Sequence, residues 1–216
     1  MRPTPFTLLP ALALLACSAA PATPVAPVPP AASASPPAQP PAFAAGAWGT
    51  YPSERFGLRL PLPEGHAWRI DDHGGPWLAA THAASGSTLR VRSWTEDGRA
   101  TRARCEERAR LWLTLPERTS LELVQDRSIG APDGFDTQLV MGVVPGKAGE
   151  AITAFALAFG AHLHRCFAWV YSTRAAGPGA PGVVGERLAA MVERSLGKVE
   201  LDNELAPRIK RDPAGP

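Results

Sequence analysis

The spacing of apolar residues along the chain changes period several times, and each change marks an element. Residues 56–60, Phe-Gly-Leu-Arg-Leu, alternate apolar and other positions with a period of two, as a half-buried strand does. After a turn at 61–65, residues 66–71 repeat the pattern with Trp68 and Ile70 on one face. A second turn, Asp71-Asp72-His73-Gly74-Gly75, leads into residues 76–82 and 87–95. These two read as a hairpin closed around Ala84-Ser85-Gly86. Four short strands in succession predict an antiparallel sheet.

The period lengthens after Glu96-Asp97-Gly98. From 101 to 115 there is neither Gly nor Pro, and Cys105, Ala109, Trp112 and Leu115 recur at helical spacing. Thr101, or Asp97 slightly earlier, is placed to cap this helix, and Pro116 ends it. Arg102, Glu106 and Arg110 follow at steps of four on the outer side, where ion pairs along the surface are available.

Strand periodicity returns at 121–128 and 135–144, on either side of a turn-rich stretch at 130–134. Residues 151–173 are too long for one strand and predict a hairpin turning near Gly160-Ala161-His162. In its first arm Phe155, Leu157 and Phe159 face one way, and Ala154, Ala156 and Ala158 the other. In its second arm Leu163, Arg165, Phe167, Trp169 and Tyr171 share a face, opposite His164, Cys166, Ala168 and Val170. This grouping predicts one bulky aromatic face and one small face. After a Gly/Pro linker at 175–182, residues 183–196 predict a closing helix with Val184, Leu188, Met191, Val192 and Leu196 inward. The fold class is α+β: a mainly antiparallel sheet of about six to eight strands and two principal helices, in the order strands, helix, strands, helix.

The amino-terminal region follows a different pattern. Arg2 supplies a positive start, residues 6–16 are apolar apart from Thr7 and Pro10, and the run closes as Leu14-Leu15-Ala16-Cys17. An apolar core of this length falls short of the roughly 20 residues a membrane span needs, and it has the layout of a secretory signal at 1–16. The ending resembles a bacterial lipoprotein lipobox. That resemblance implies cleavage before Cys17 and acylation of its thiol and new amino terminus, so that several acyl chains hold the protein to a membrane. Ser18 stands where an Asp would favour inner-membrane retention, which leans toward the outer membrane. Residues 18–47 are almost entirely Ala, Pro, Ser, Thr and Val, with Pro29-Pro30, Pro36-Pro37 and Pro40-Pro41. Proline removes backbone donors and fixes φ, so this stretch reads as an extended tether of about 3 Å per residue. The organisation is a signal peptide at 1–16, a lipidated cysteine and tether at 17–47, a globular domain at 48–201 and a polar tail at 202–216.

Composition adds two restrictions. A net charge of +2 argues against a dedicated nucleic-acid binder, which carries a basic field or stripe. Of three cysteines, Cys17 belongs to the lipobox, leaving Cys105 and Cys166 in the domain. In an exported protein these two are able to pair, if the stripe of the first helix meets the Cys166 side of the last hairpin; isolated core thiols are the alternative. Neither lies in a Cys-x-x-Cys context, which removes the usual redox motif.

Candidate chemistry is sparse. His162 and His164 form a His-x-His pair, but a zinc site needs further ligands, from His66, His73, His82 or a carboxylate, and no metal is assigned. Phe155, Phe159, Phe167, Trp169 and Tyr171 either line a ligand pocket, with Arg165 to receive an anion, or form core beneath a covering layer. There is no Gly-x-Ser-x-Gly elbow, phosphate-binding glycine loop or His-Glu-x-x-His helix, and Ser85-Gly86-Ser87 reads as a turn. No cofactor is expected.

The element order, with the opening Phe56-Gly57-Leu58-Arg59-Leu60-Pro61 followed by Trp68, resembles the PsbP-like α/β/α sandwich group over residues 50–200. That group includes small bacterial lipoproteins, and the resemblance implies a binding or assembly module. The expectation is therefore a lipid-anchored envelope protein, non-enzymatic, bound to the membrane through Cys17 and to a protein or envelope component through its domain. The competing reading is a metal-dependent or other hydrolase using His162, His164 and nearby acids.

Overall fold

In the computed structural model, residues 48–144 and 150–202 are described, and they form an α+β fold of two antiparallel sheets and two α-helices. The signal region, Cys17, the tether, the loop at 145–149 and the tail beyond Asp202 lie outside the described residues. Strands β1 (Trp48–Ser53), β2 (Leu58–Pro63) and the two-residue β10 (Glu200–Leu201) make a three-stranded sheet with β2 in the middle. Strands β3 (Trp68–Asp71), β4 (Leu78–His82), β5 (Ser87–Thr95), β6 (Glu122–Ile129), β7 (Asp136–Val144), β8 (Ile152–His162) and β9 (Arg165–Ala175) make the main sheet. Their order is β3-β4-β5-β9-β8-β7-β6. Helix α1 (Arg102–Trp112) carries the chain from β5 across the sheet to the far edge, and the strands from β6 to β9 then return to close the gap beside β5.

Seven strands in the main sheet agree with the sequence reading, but the first strand pair separates from it. The 56–60 stretch belongs to β2 of the small sheet, whose inner residues Leu58, Leu60 and Leu62 pack into the same core as Leu78, Leu89 and Trp169. Helix α2 (Ala180–Arg194) joins that layer and covers one face of the main sheet with Val184, Leu188 and Met191. Helix α1 covers the other face, over Leu157, Phe159, Cys166 and Ala168. The molecule is thus layered: α1, the seven-stranded sheet, then α2 beside the small sheet. Among the described residues no helix is long and apolar enough to cross a membrane.

The last hairpin corrects the sequence reading. It turns at Leu163-His164, with His162 opposite Arg165, and not at 160–162. A three-residue turn there would set odd residues of one arm beside odd residues of the other; the two-residue turn sets odd beside even. Phe159 therefore faces Ala168, while Ala158 faces Trp169 and Ala156 faces Tyr171. Each face alternates large with small across the two strands, so neither is the bulky face nor the small one. Gly160 is spared the turn for a packing reason: a Cβ there would lie 2.3 Å from Thr137 Oγ1. Leu163 takes the turn instead, with φ of 52° in the left-handed region.

Candidate functional site

Cys105 and Cys166 meet beneath α1 as a disulfide, with Cα atoms 5.4 Å apart across a separation of 61 residues. Thr101 caps the helix by accepting from Arg104 N at 3.3 Å. Glu96, just after β5, is a buried carboxylate. It accepts from Trp94 Nε1 at 2.8 Å, and Arg104 Nε lies 3.1 Å and Arg108 Nε 3.6 Å from its oxygens. On the outer side Glu106 pairs with Arg110 at 3.0 Å, as the spacing of four predicts, whereas Arg102 turns to Asp136 at 3.4 Å.

The other sequence candidates do not come together. His162 ends β8 against Phe135, and His164 Nδ1 lies 3.0 Å from Gly98 O. Each is thus tied to a different loop, and among the described residues no three His, Cys, Asp or Glu side chains gather as a ligand set. The five aromatic residues divide between the two faces: Phe155 and Phe159 lie on the α1 side, and Phe167, Trp169 and Tyr171 on the α2 side. The last three are fully buried beneath α2 and the small sheet, so they are core and not the wall of a pocket. Arg165 lies 5.8 Å from the Phe135 ring at the hairpin's rim.

A buried polar chain was not anticipated from the sequence. His82 Nδ1 lies 2.7 Å from Ser85 Oγ, which donates to Ser87 Oγ at 2.7 Å. Ser87 donates to Thr173 Oγ1 at 2.9 Å and lies 3.0 Å from the Tyr171 hydroxyl. Arg187 of α2, fully buried, donates to Ser85 O at 2.9 Å, to Arg174 O at 3.2 Å and to Thr173 Oγ1 at 3.3 Å. Burial lowers the pKa of this guanidinium, with Tyr171 opposing the shift, and burial raises that of the Tyr171 phenol. Beyond His82, Nε2 faces Glu64 Oε2 at 3.4 Å.

Serine, histidine and glutamate in a row suggest a nucleophile with its base and orienting acid. The geometry argues otherwise. Ser85 is only 5% exposed and gives its proton to Ser87, and the following N–H, of Gly86, bonds to Ala83 O at 3.1 Å. The N–H that would follow a Ser85 nucleophile is thus already bonded within the turn. The chain instead ties the β4–β5 turn to β9 and α2.

A concavity lies beside β1. The edge of β1 overhangs β3, and between them lies a slot of about 280 Å³. Gly49, Tyr51 and Leu62 line it from the small sheet and Ile70 from the main sheet, with Gly65 and His66 at one end. That end closes because Gly49 lets two backbones touch: a Cβ on it would lie 3.3 Å from Gly65 Cα. The Tyr51 hydroxyl donates to Asp72 Oδ2 at 3.5 Å and Arg55 donates to Asp72 O at 2.9 Å. Burial, then the Asp72 carboxylate, raises the Tyr51 pKa. Asp71 accepts from Gly74 N at 2.7 Å and His73 N at 3.0 Å, which holds its carboxyl below the usual range and fixes the turn beside the slot. The lining is apolar and aromatic with polar ends, which suits binding.

No protein-family model matches the chain, and no curated protein matches it. A crystal structure of a protein from Bacteroides thetaiotaomicron VPI-5482 is similar to it with a TM-score of 0.42 and 10% sequence identity. The likeness covers 72% of this chain and 48% of that chain, so this chain spans about half the length of that protein.

Proposed function

We propose that this chain is a lipid-anchored envelope protein that binds a protein or envelope component through its domain, without catalysing a reaction. The carrying observation is the slot between β1 and β3, an apolar recess bordered by polar groups and separate from any assembled nucleophile or ligand set among the described residues. The Leu14-Leu15-Ala16-Cys17 ending supports an acyl anchor, with the outer membrane favoured by Ser18. The Cys105–Cys166 disulfide is consistent with an oxidising compartment.

Two measurements test this reading. Mass spectrometry of the native protein is expected to find acyl chains on Cys17, and Cys17→Ser is expected to move the protein from the membrane to the soluble fraction. A photo-crosslinking residue at Thr50, beside the slot, is expected to capture one defined envelope component, whereas one at exposed Glu186 captures none. Free Cys17 in the native protein, or identical capture from both positions, would overturn it.

A further inference from the structure

The prolines of the small sheet determine which backbone groups of β1 are on offer. In the β1–β2 register Trp48 lies opposite Pro63, Thr50 opposite Pro61, and Pro52 opposite Arg59. Antiparallel pairs alternate between those that exchange two hydrogen bonds and those that exchange none. Proline has no N–H to give, and all three prolines fall in the same alternate set. The bonded pairs are therefore Gly49–Leu62, Tyr51–Leu60 and Ser53–Leu58. It follows that the N–H and C=O groups of Trp48 and Thr50, and the C=O of Pro52, point away from β2 along the free edge. Among the described residues none of these groups makes a backbone bond elsewhere.

The other long edges are guarded. β6 carries a bulge between Leu123 and Gln125 and the charges Glu122, Asp126 and Arg127. β3 carries Arg69 and Asp71, and its Trp68 N–H bonds back to Gly65 O. Charges, bulges and edge prolines are the devices that keep edges from pairing, and Pro52 closes the Ser53 end of β1 in this way, leaving Trp48 and Thr50 as its open stretch. Over Trp48-Gly49-Thr50-Tyr51, β1 carries no charge, bulge or proline. At its Trp48 end stands a charge of one sign: the Arg194 guanidinium lies 4.6 Å from the Trp48 ring centre, is exposed, and among the described residues makes no ion pair.

We propose that β1 accepts an extended peptide as an added strand, antiparallel to β1, with an apolar side chain in the slot and a carboxylate at the Trp48 end facing Arg194. An antiparallel strand brings its carboxyl-terminal end to Trp48, which is where Arg194 supplies positive charge. Its main chain pairs with Trp48 and Thr50, and alternate side chains reach Leu62 and Ile70. The inference rests on the reading of this protein as a binding module and names the chemistry of its partner.

The test uses the full chain and a phage-displayed library of random peptides of about nine residues, long enough for a strand. The selected peptides are then synthesised and titrated. Thr50→Pro removes one outward donor at a position that exchanges no bond with β2. It is expected to leave thermal unfolding nearly unchanged and to weaken binding by about tenfold or more, the scale of one lost hydrogen bond. Thr50→Val, which keeps the outward N–H, is expected to weaken binding far less than Thr50→Pro does. Arg194→Glu is expected to weaken binding several-fold and to select peptides without the terminal carboxylate. Should Thr50→Pro fail to fold, N-methylation of the peptide residue by residue is expected to abolish binding at every second position. Peptides that bind Thr50→Pro like the parent and show no two-residue period overturn strand addition while leaving a binding module standing. Failure to select any peptide also overturns it. Crosslinking without specificity at Thr50 strikes the binding-module reading instead.

Discussion

The two helices lie on opposite faces of one sheet and are held by different means. Helix α2 buries Ala180, Val183, Val184, Leu188 and Met191 as an apolar stripe, and adds the buried Arg187. Helix α1 fully buries only Cys105 and Ala109, and its remaining faces carry arginines and glutamates. An eleven-residue helix with so narrow a stripe has little hydrophobic reason to stay. It is attached by a covalent bond to β9, by the Glu96 carboxylate between Arg104 and Arg108, and by Trp112, which packs edge-on against Trp94 with Arg92 over its ring at 3.8 Å. One sheet thus shows that a stripe of aliphatic side chains and a cross-link with a few charges are alternative ways to hold a helix in place.

That contrast is broken most severely by removing the cross-link. Closing an interval of 61 residues contributes about 4 kcal/mol in the chain-entropy account. Cys105→Ala combined with Cys166→Ala is expected to lower the unfolding free energy by that amount in urea titration. Hydrogen exchange is expected to show α1 opening first while α2 keeps its protection. The matching blow to α2, Leu188→Ala, costs about 3 kcal/mol by loss of buried surface and a cavity. Here exchange is expected to rise across α2, β2 and β9 together, because one core joins them; opening confined to α2 would count against that coupling.

A finer comparison concerns Glu96. Glu96→Ala strands the buried Trp94 N–H and both arginines and is expected to cost about 2 kcal/mol. Glu96→Gln keeps an acceptor for Trp94 and loses only half-exposed ion pairs, for about 0.5 kcal/mol. Equal losses in the two variants, read from urea midpoints, would mean that charge outweighs the hydrogen bond.

The smallest expected effect separates the two faces by pH. Burial raises the Tyr171 pKa above 10.0, so the folded state holds its proton more tightly than the unfolded chain does. The resulting stability is complete below about pH 10 and declines as pH rises through the folded value. Alkaline titration is expected to loosen the α2 face first, and Tyr171→Phe to remove that part of the pH dependence. An unchanged alkaline slope in Tyr171→Phe would refute the assignment.

The sequence made some of this legible because local pattern and final surroundings coincide. The hairpin around Ala84-Ser85-Gly86 needs a left-handed residue, and Gly86, with φ of 59°, supplies it. Cys105 sat on the only apolar stripe of its helix, so its bond to Cys166 was readable as a possibility. The separation of β1 and β2 into their own sheet was not readable, since a half-buried strand looks the same in either layer. The face assignment of Phe155 and Phe159 turned on one residue of loop length, which Gly160 disguised by lying in a strand for the sake of Thr137. Arg187 was not among the inward residues expected of the closing helix, yet it is buried. A signal did exist: Ser87 shares the inward face of Leu89 and Val91, and Thr173 that of Tyr171 and Trp169. Hydroxyls among inward apolar positions announce a buried polar partner. The slot depends on how two sheet edges overlap, which no local pattern encodes.

The prolines of β1 and β2 also single out one register for the pair. A slip of one residue in either direction sets Pro61 opposite Gly49 or Tyr51, at a bonding position where it has no proton to offer. The same slip turns Leu58, Leu60 and Leu62 toward water. A slip of two that brings Tyr51 to the place of Gly49 restores the hydrogen bonds but sets a side chain where two backbones touch. The prolines, the inward leucines and Gly49 thereby disfavour these misaligned registers of β1 against β2.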